Sequence, residues 1–200
     1  MITNKIIQTQ HSYLNKFNLI QIPKCDIDQE LLDKCVDDIK DKLDIKPPII
    51  ICGKQVYQKR DVAFFSDTSI GYQYSGQLAK SKPMTMNLDL LLELVNELFG
   101  AKFNGILINR YCSGNEYIGA HSDDEKYLDK TGVVAISYGG TRIFRVRDKQ
   151  TKQIVQDVPI AHMDIVHMAG DFQKEFTHEV PPTREGVDTR YSFTFRHHTI

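Results

Sequence analysis

The densest group of residues that could do chemistry is the run His121-Ser122-Asp123, followed by His178 55 residues after the aspartate. A single residue between His121 and Asp123 lets both side chains point the same way on an extended segment or a tight turn. Two imidazoles and one carboxylate can then occupy one face of an octahedral metal and leave three positions open. This set suits non-haem Fe(II), whereas structural zinc takes four ligands and usually includes thiolates. Taken alone, the pattern is more simply explained by surface or hydrogen-bonded histidines, since the chain has 7.

A polar strand face near the end of the chain strengthens the metal interpretation. Strand alternation separates the side chains of this segment into two faces, Tyr191, Phe193 and Phe195 on one and Arg190, Ser192, Thr194 and Arg196 on the other. The polar face is either a solvated outer surface or the lining of a polar pocket. An arginine provides a planar, bidentate partner for a carboxylate such as the distal end of 2-oxoglutarate.

The two arginines of this face are six residues apart, roughly 20 Å along a strand, so they should serve different ends of a site. Upstream, Asn109 and Tyr111 alternate onto one face of their own strand and could donate hydrogen bonds to the same molecule. For each arginine singly, a surface ion pair is the alternative.

Two amphipathic segments predict helices ahead of these strands. In the first, apolar residues recur at helical spacing from Leu31 to Leu43, Asp28 is placed to cap the start, and Pro47-Pro48 forbid continuation. In the second, Asn87 is expected to cap a run that ends at Phe99, with Gly100 in the left-handed conformation. Apolar periodicity then changes to that of strands, predicted over 105–111, 133–138, 142–147, 164–168, 175–180 and 189–197. Two helices followed by many short strands indicate an α+β protein with an antiparallel sandwich or barrel.

Length and composition narrow the possible classes of function. The chain has 200 residues, is 41% hydrophobic and carries a formal net charge of −1, which fits one domain and excludes a globally basic protein that coats nucleic acid. No apolar run approaches the ~20 residues of a membrane helix, and the start lacks a secretory signal. The four cysteines show neither C-x-x-C nor zinc spacing and predict reduced, intracellular thiols. We expect no membrane partner, and a catalytic domain of this size can act as a monomer.

The chain resembles the AlkB family of Fe(II)- and 2-oxoglutarate-dependent dioxygenases, and most closely its eukaryotic DNA-repair branch. The resemblance runs from about residue 47 to 197 and is carried by Gly53-Lys54, Tyr72-Gln73-Tyr74-Ser75-Gly76, Asn109-Arg110-Tyr111, the run from His121 to Glu125, His178, Arg190 and Arg196. It implies one domain over 1–200 with a double-stranded β-helix (jelly-roll) core at 105–197. The N-terminal helices would flank this core, residues 1–45 would form an extension, and 52–82 a nucleotide-recognition lid.

The resemblance also implies roles for individual residues. His121, Asp123 and His178 would bind Fe(II); Arg190 and Tyr111 would hold the distal carboxylate of 2-oxoglutarate, with Asn109 and Arg196 nearer its chelating end and Ser192 and Thr194 on the same face. Asp124 and Glu125 would approach a methylated base, Tyr72, Tyr74 and Ser75 would line its pocket, and His121 and Tyr74 would sandwich its ring. With O2 as oxidant, the reaction would remove methyl groups from 1-methyladenine or 3-methylcytosine and release formaldehyde, succinate and CO2.

Two positions depart from the family pattern. Ser192 stands where close relatives place an asparagine, so affinity for 2-oxoglutarate could be lower. Cys52 stands where relatives that repair duplexes carry an aromatic wedge, which fills the gap left by the flipped base. Cysteine is too small for this task, which predicts a preference for single-stranded over duplex nucleic acid.

Local positive charge offers candidate phosphate contacts. Lys54, Lys59 and Arg60 lie in the expected lid, and a second group follows in the chain, comprising Arg145, Arg147, Lys149 and Lys152. Such groups are often only solvated surface; here they are expected to flank the nucleic-acid groove. We expect Arg60 and Arg145 to contribute to the salt dependence of binding.

Three interpretations remain open from the sequence. The first is a demethylase of DNA or RNA. The second is an oxygenase of the same fold that hydroxylates a protein or a small molecule, which would need the iron ligands and Arg190 but not Tyr74, Asp124 and Glu125. The third is a non-catalytic nucleic-acid binder, which an intact iron triad disfavours.

Overall fold

The computed structural model describes residues 19–22, 25, 27–74, 77–123 and 131–198. The helices are α1 (Gln29–Ile39), α2 (Met86–Phe99) and α3 (Phe172–Glu175). The strands are β1 (Leu19–Ile22), β2 (Pro48–Ile51), β3 (Lys54–Tyr57), β4 (Asp61–Phe65), β5 (Gly71–Tyr74), β6 (Gln77–Lys82), β7 (Gly105–Tyr111), β8 (Ile118–His121), β9 (Val133–Gly139), β10 (Arg142–Asp148), β11 (Ile154–Ile160), β12 (Ile165–Met168), β13 (Phe176–Val180) and β14 (Arg190–Arg196).

Two sheets face each other and form the body of the molecule. The larger has eight strands in the order β1-β12-β9-β14-β7-β4-β6-β5, and the smaller has four in the order β11-β10-β13-β8. Val166 and Met168 of the larger sheet share one buried cluster with Phe144 and Val146 of the smaller sheet, which closes the sandwich. The expected α+β class and jelly-roll core are confirmed. Among the described residues, no helix is long and apolar enough to cross a bilayer.

Helices α1 and α2 cover the outer face of the larger sheet. Leu32 of α1 and Leu91 of α2 are fully buried and share a cluster with Phe193 and Phe195 of β14. Burying side chains of this size stabilises each contact by about 1.5–3 kcal/mol relative to exposure. The apolar face of β14 therefore meets the helices, and its polar face turns into the space between the two sheets.

The helix ends follow the sequence prediction in part. Asp28 caps α1, its carboxylate accepting the Glu30 N–H at 3.0 Å, and Gly100 ends α2 with φ 58°. The cap predicted at Asn87 is wrong: Thr85 is the N-cap, accepting the Leu88 N–H at 3.2 Å, while the Asn87 amide donates to Asp38. The first helix is also shorter than predicted, because it ends at Ile39; Leu43 is buried from an irregular segment instead.

The structure resolves the expected lid segment into two different parts. A β2–β3 hairpin turns through Cys52 and Gly53, whose φ values of 49° and 74° are those of a tight two-residue turn. Strand β4, by contrast, is buried along its whole length and pairs with β7 in the larger sheet. It is core, so any lid consists of the β2–β3 hairpin and the β5–β6 pair. The described part of the N-terminal extension is likewise integrated, since β1 pairs with β12.

Candidate active site

A polar cavity between the two sheets contains the metal-binding candidates. The larger sheet contributes Asn109, Tyr111, Arg190, Ser192, Thr194 and Arg196, and the smaller sheet contributes His121 and His178, with Asp123 just beyond β8. The register places Ser192 directly between Asn109 and Ser137, and Arg190 beside Tyr111. The polar face of β14 is therefore the lining of a pocket rather than a solvated surface.

The three predicted metal ligands meet at one point. His121 on β8 pairs in register with His178 on β13, so the two rings lie 4.3 Å apart between centroids. The ligand atoms of His121, Asp123 and His178 all lie within 4.8 Å of one another. Nε2 of His121 is 3.8 Å from one carboxylate oxygen of Asp123, and Nε2 of His178 is 3.7 Å from the other. This arrangement fits one metal ion held on one face.

The electrostatics hold the three groups in the protonation state of metal ligands. Burial acts to raise the pKa of Asp123, but attraction to Arg196 and both histidines outweighs it and holds that pKa well below its ordinary range. Burial lowers the pKa of His121, and burial together with His121 lowers the pKa of His178 to about 3. The carboxylate is therefore charged and the imidazoles neutral at physiological pH. His121 Nδ1 lies 2.8 Å from the Gly119 carbonyl, which leaves Nε2 facing the carboxylate.

A second set of residues orients these ligands, and no pattern in the sequence indicated it. The side-chain oxygen of Gln173 accepts the backbone N–H of Asp123 at 2.9 Å, and Ser122 donates its hydroxyl to the Phe176 carbonyl at 2.9 Å. Both bonds join the ligand loop to the segment around α3. The ring of Phe144 stacks on His178 at 5.1 Å with an interplanar angle of 18°. Only long-range packing creates these contacts, so spacing along the chain could not reveal them.

Arg190 provides a buried positive charge at one end of the cavity. Its Nε donates to Ser137 Oγ at 2.9 Å, and its guanidinium lies 5.6 Å from the centre of the Tyr111 ring. Burial lowers the pKa of Arg190 to about 10, so the group is still charged at neutral pH. Among the residues that the structure describes, no carboxylate forms an ion pair with it. Burying a cation is costly without a partner, so this end of the cavity suits an anionic ligand.

Arg196 lies at the opposite end of the same strand face. Its Nη2 is 3.4 Å from the Asp123 carboxylate, and its guanidinium lies 4.6 Å over the ring of Tyr72. The two arginines thus serve different ends of the cavity, as their spacing predicted. Ser192 and Thr194 place their hydroxyls 3.3 Å apart between them.

The residues expected to meet the substrate are described only in part. Tyr72 is buried and lines the cavity, whereas Tyr74 lies at the end of β5 with its side chain outside the described part. Ser75, Asp124 and Glu125 lie outside the described residues. Their roles remain predictions.

The structure corrects the surface role expected for Arg60. This side chain is buried and turned inward, and its Nε donates to the Asn109 side-chain oxygen at 2.7 Å. It lines the active-site cavity rather than the outer groove. A place beside the substrate remains open to Arg60, but a contact with backbone phosphates on the surface does not.

The second basic group is engaged in contacts within the protein. Arg145 forms two hydrogen bonds with the Asp157 carboxylate, at 2.7 and 2.8 Å, and Arg147 is paired with Glu179 at 2.7 Å. Lys149 and Lys152 donate to backbone carbonyls. The two arginines are thus neutralised by carboxylates of their own sheet. Lys54 and Lys59 remain exposed on and beside the β2–β3 hairpin.

Comparison with known proteins decides the family. The model of the 2OG-Fe(II) oxygenase superfamily matches residues 20–196, which reaches into every strand of both sheets and includes all three metal-binding candidates. The chain belongs to the 2OG-Fe(II) oxygenase superfamily. Within this family, His121, Asp123 and His178 are positioned to bind iron, and Arg190 is a buried cation of the same cavity.

Individual relatives confirm the resemblance to AlkB proteins. The chain is 30% identical over 154 residues to human DNA oxidative demethylase ALKBH2, covering 73% of this chain and 59% of that protein. It is 29% identical over 149 residues to bovine alpha-ketoglutarate-dependent dioxygenase alkB homolog 3, covering 70% of this chain and 51% of the relative. The chain thus spans only about half to three-fifths of these relatives. A solved structure of OsALKBH1 superposes with a TM-score of 0.59 over 90% of this chain and 97% of that chain at 15% identity, which shows the shared fold.

Proposed function

We propose that this protein is an Fe(II)- and 2-oxoglutarate-dependent dioxygenase that removes methyl groups from N-alkylated bases in nucleic acid, such as 1-methyladenine and 3-methylcytosine. The observation that carries the proposal is the single cavity in which the His121-Asp123-His178 triad faces Arg190, a buried cation with no carboxylate partner among the described residues. The similarity to proteins named as DNA oxidative demethylases supports nucleic acid as the substrate.

Different side chains of the cavity would bind the metal and the cosubstrate. His121, Asp123 and His178 would hold iron, while Arg190 and Tyr111 would bind the distal carboxylate of 2-oxoglutarate. With O2 as the oxidant, bound iron and 2-oxoglutarate would supply the chemistry that hydroxylates the N-methyl group and converts 2-oxoglutarate to succinate and CO2; the hydroxymethyl group would then leave as formaldehyde and restore the base. The protein fixes the ligands, orients the cosubstrate and excludes water, so no side chain needs to act as a general base.

The substrate base would enter from the side of Tyr72 and Arg60. A methylated adenine or cytosine ring carries positive charge, so Asp124, Glu125 and the ring of Tyr74 would favour it over the normal base. His121 and Tyr74 would hold it from its two faces, with Ser75 beside them. Asn109 and Arg196 would lie nearer the chelating end of 2-oxoglutarate, with Ser192 and Thr194 alongside.

We also propose that single strands are favoured over duplexes. Cys52 lies at the exposed tip of the β2–β3 hairpin, where the family resemblance places an aromatic wedge. A thiol covers little of the gap that a flipped base leaves in a duplex, and unstacking costs a few kcal/mol. A strand that is already unpaired avoids that cost.

The test is succinate release with Fe(II), 2-oxoglutarate and oligonucleotides containing 1-methyladenine or 3-methylcytosine, each as single-stranded DNA, duplex DNA and RNA. We expect turnover that needs both iron and the methyl group and is faster on single strands. Methylated peptides and nucleotide-free reactions provide the comparison. Succinate release with peptides, but not with any methylated oligonucleotide, would assign the protein to the side-chain hydroxylases instead.

A further inference from the structure

Arg142, the first residue of β10, is a buried cation that does not line the active-site cavity. It is only 3% exposed and lies on the same face of the strand as Phe144, which does line the cavity. Its guanidinium donates to three backbone carbonyls, those of Ser113 at 3.3 Å, Glu116 at 2.8 Å and Pro181 at 2.7 Å. These bonds fix the guanidinium in place, but carbonyl oxygens have no net charge and leave its positive charge unbalanced.

The carboxylate of Glu116 influences Arg142 but is bonded to other groups. One of its oxygens is 2.8 Å from Lys46 Nζ, and the other accepts the backbone N–H of Cys112 at 2.6 Å. Burial lowers the pKa of Arg142, while Tyr111 and Glu116 act to raise it. Of the residues that the structure describes, no carboxylate forms an ion pair with Arg142. Because an arginine stays protonated in proteins, a second uncompensated cation lies beside the cavity.

Arg142 and Arg190 both lie close to the ring of Tyr111. The ring centre is 5.5 Å from the guanidinium carbon of Arg142 and 5.6 Å from that of Arg190. Both distances are within the roughly 6 Å over which a cation is attracted to an aromatic face. Tyr111 is itself buried and lines the cavity in register with Arg190. Two like charges are therefore gathered at the same end of the site, where they repel each other until an anion binds.

We propose that Arg142 is a positioning residue that makes the cavity selective for 2-oxo acids with a second carboxylate. The inference rests on the proposed function, in which Arg190 and Tyr111 bind the distal carboxylate of 2-oxoglutarate. Arg142 does not touch the cosubstrate; it holds the ring of Tyr111 from behind and adds its own charge to that of Arg190. The attraction acts on the distal carboxylate and much less on the chelating end, which lies towards the metal-binding residues.

The experiment compares the dissociation constants of 2-oxoglutarate and 2-oxopentanoate, which has a methyl group in place of the distal carboxylate. Isothermal titration calorimetry measures both on protein loaded with Mn(II). Arg142→Gln removes the charge and keeps an amide that can donate to the carbonyls, so binding of 2-oxoglutarate should weaken by about tenfold while that of 2-oxopentanoate is unchanged. Arg142→Lys keeps the charge, so both constants should stay within about threefold of those of the unaltered protein.

The ratio of the two constants separates an electrostatic role from a structural one. Partial unfolding of a variant raises both apparent constants by the same factor and cancels from the ratio. Arg147→Gln is the matched control, because this arginine of the same strand is paired with Glu179 and does not line the cavity; it should keep both constants.

The inference is overturned if Arg142→Gln weakens both acids equally or neither, or if Arg142→Lys loses the preference for 2-oxoglutarate. A different result would reject the proposed function itself. In that case the unaltered protein would bind 2-oxoglutarate no more tightly than 2-oxopentanoate, which would show that no distal carboxylate is held at Arg190.

Discussion

The side-chain oxygen of Gln173 accepts the backbone N–H of Asp123 at 2.9 Å, which ties the loop of one metal ligand to helix α3. The other end of the same amide donates to Met168 Sδ at 3.4 Å, so Gln173 is held on both sides. Residues that orient metal ligands commonly contribute a factor of about 10–100 to metal affinity. We therefore expect Gln173→Leu to weaken Mn(II) binding, measured by electron paramagnetic resonance titration, by at least about tenfold.

Gln153→Leu is the matched control for this substitution, because Gln153 is exposed and does not line the cavity that contains the ligands. The circular dichroism spectrum should be unchanged in both variants. Equal Mn(II) affinities for Gln173→Leu and the unaltered protein would show that the bond does not position Asp123.

A second prediction concerns Arg190, which is buried without a carboxylate partner among the described residues. Arg190→Met replaces an unpaired buried cation by an apolar chain, so the unfolding temperature without ligand should stay the same or rise. In the presence of Mn(II), 2-oxoglutarate at 100 times its Kd should raise the free energy of unfolding of the unaltered protein by about 2.7 kcal/mol. It should not raise the free energy of unfolding of the variant. Differential scanning fluorimetry measures both shifts. Arg147→Met, at a surface arginine paired with Glu179, should keep the response to 2-oxoglutarate.

Stability at acid pH should depend on His198. Burial, followed by repulsion from Arg196, lowers the pKa of His198 to about 4, against about 6.5 in an unfolded chain. The unfolded chain therefore binds the proton more readily, so the stability present above pH 6.5 is lost as the pH falls from 6.5 towards 4. His198→Phe keeps a ring against Phe64, which lies 5.0 Å away, but cannot titrate. Urea unfolding at pH 7 and pH 4.5 should show a pH-dependent loss that is smaller in the variant by on the order of 2 kcal/mol; equal losses would contradict the assignment.

The side chain at the tip of the β2–β3 hairpin should determine whether the protein favours single-stranded or duplex nucleic acid. Cys52→Phe introduces a side chain that can fill the gap left by a flipped base, so the ratio of duplex to single-strand turnover should rise about threefold to tenfold. The measurement is kcat/KM on matched methylated oligonucleotides. Cys52→Ser leaves the tip small and is the suitable control. An unchanged ratio in Cys52→Phe would show that the size of this side chain does not determine the preference for single strands.

Phosphate contacts should come from the hairpin and not from β10. Lys54→Ala removes an exposed charge beside Cys52 and should weaken binding to single strands of any sequence while lowering the salt slope by about one. Arg145→Ala should change neither, because Arg145 is already paired with Asp157. Anisotropy titrations between about 50 and 200 mM salt separate the two cases. A reduced slope for Arg145→Ala, with none for Lys54→Ala, would reverse the assignment.

Features with a local cause could be predicted from the sequence. The alternation of β14 and the spacing of His121 and Asp123 are properties of a few neighbouring residues, and both are present as expected. Strands β1 to β6 had no strand prediction, and β8 and β11 were also missed, since β8 is short and contains Gly119 and β11 contains Pro159 and exposed residues. Their alternation is too weak to distinguish them from loops.

Features with a tertiary cause could not be predicted. Arg60 follows an exposed lysine in a polar stretch, which is typical of a surface, yet pairing of β4 with β7 turns it towards Asn109. Arg145 and Asp157 are 12 residues apart, and only the register of β10 with β11 makes them partners. The sequence therefore showed how many cationic side chains lie near the groove. It did not show which of them are available to bind a phosphate.

The pairing of β1 with β12 has a consequence for how the protein can be shortened. Four residues, Leu19–Ile22, close the side of the larger sheet at which β12 would otherwise end it. A chain that started after Ile22 would present the unpaired backbone of Ile165–Met168, with its buried Val166 and Met168, as a template for another molecule's strand. This short segment therefore covers the apolar edge of β12, although it lies far along the chain from every residue that performs chemistry.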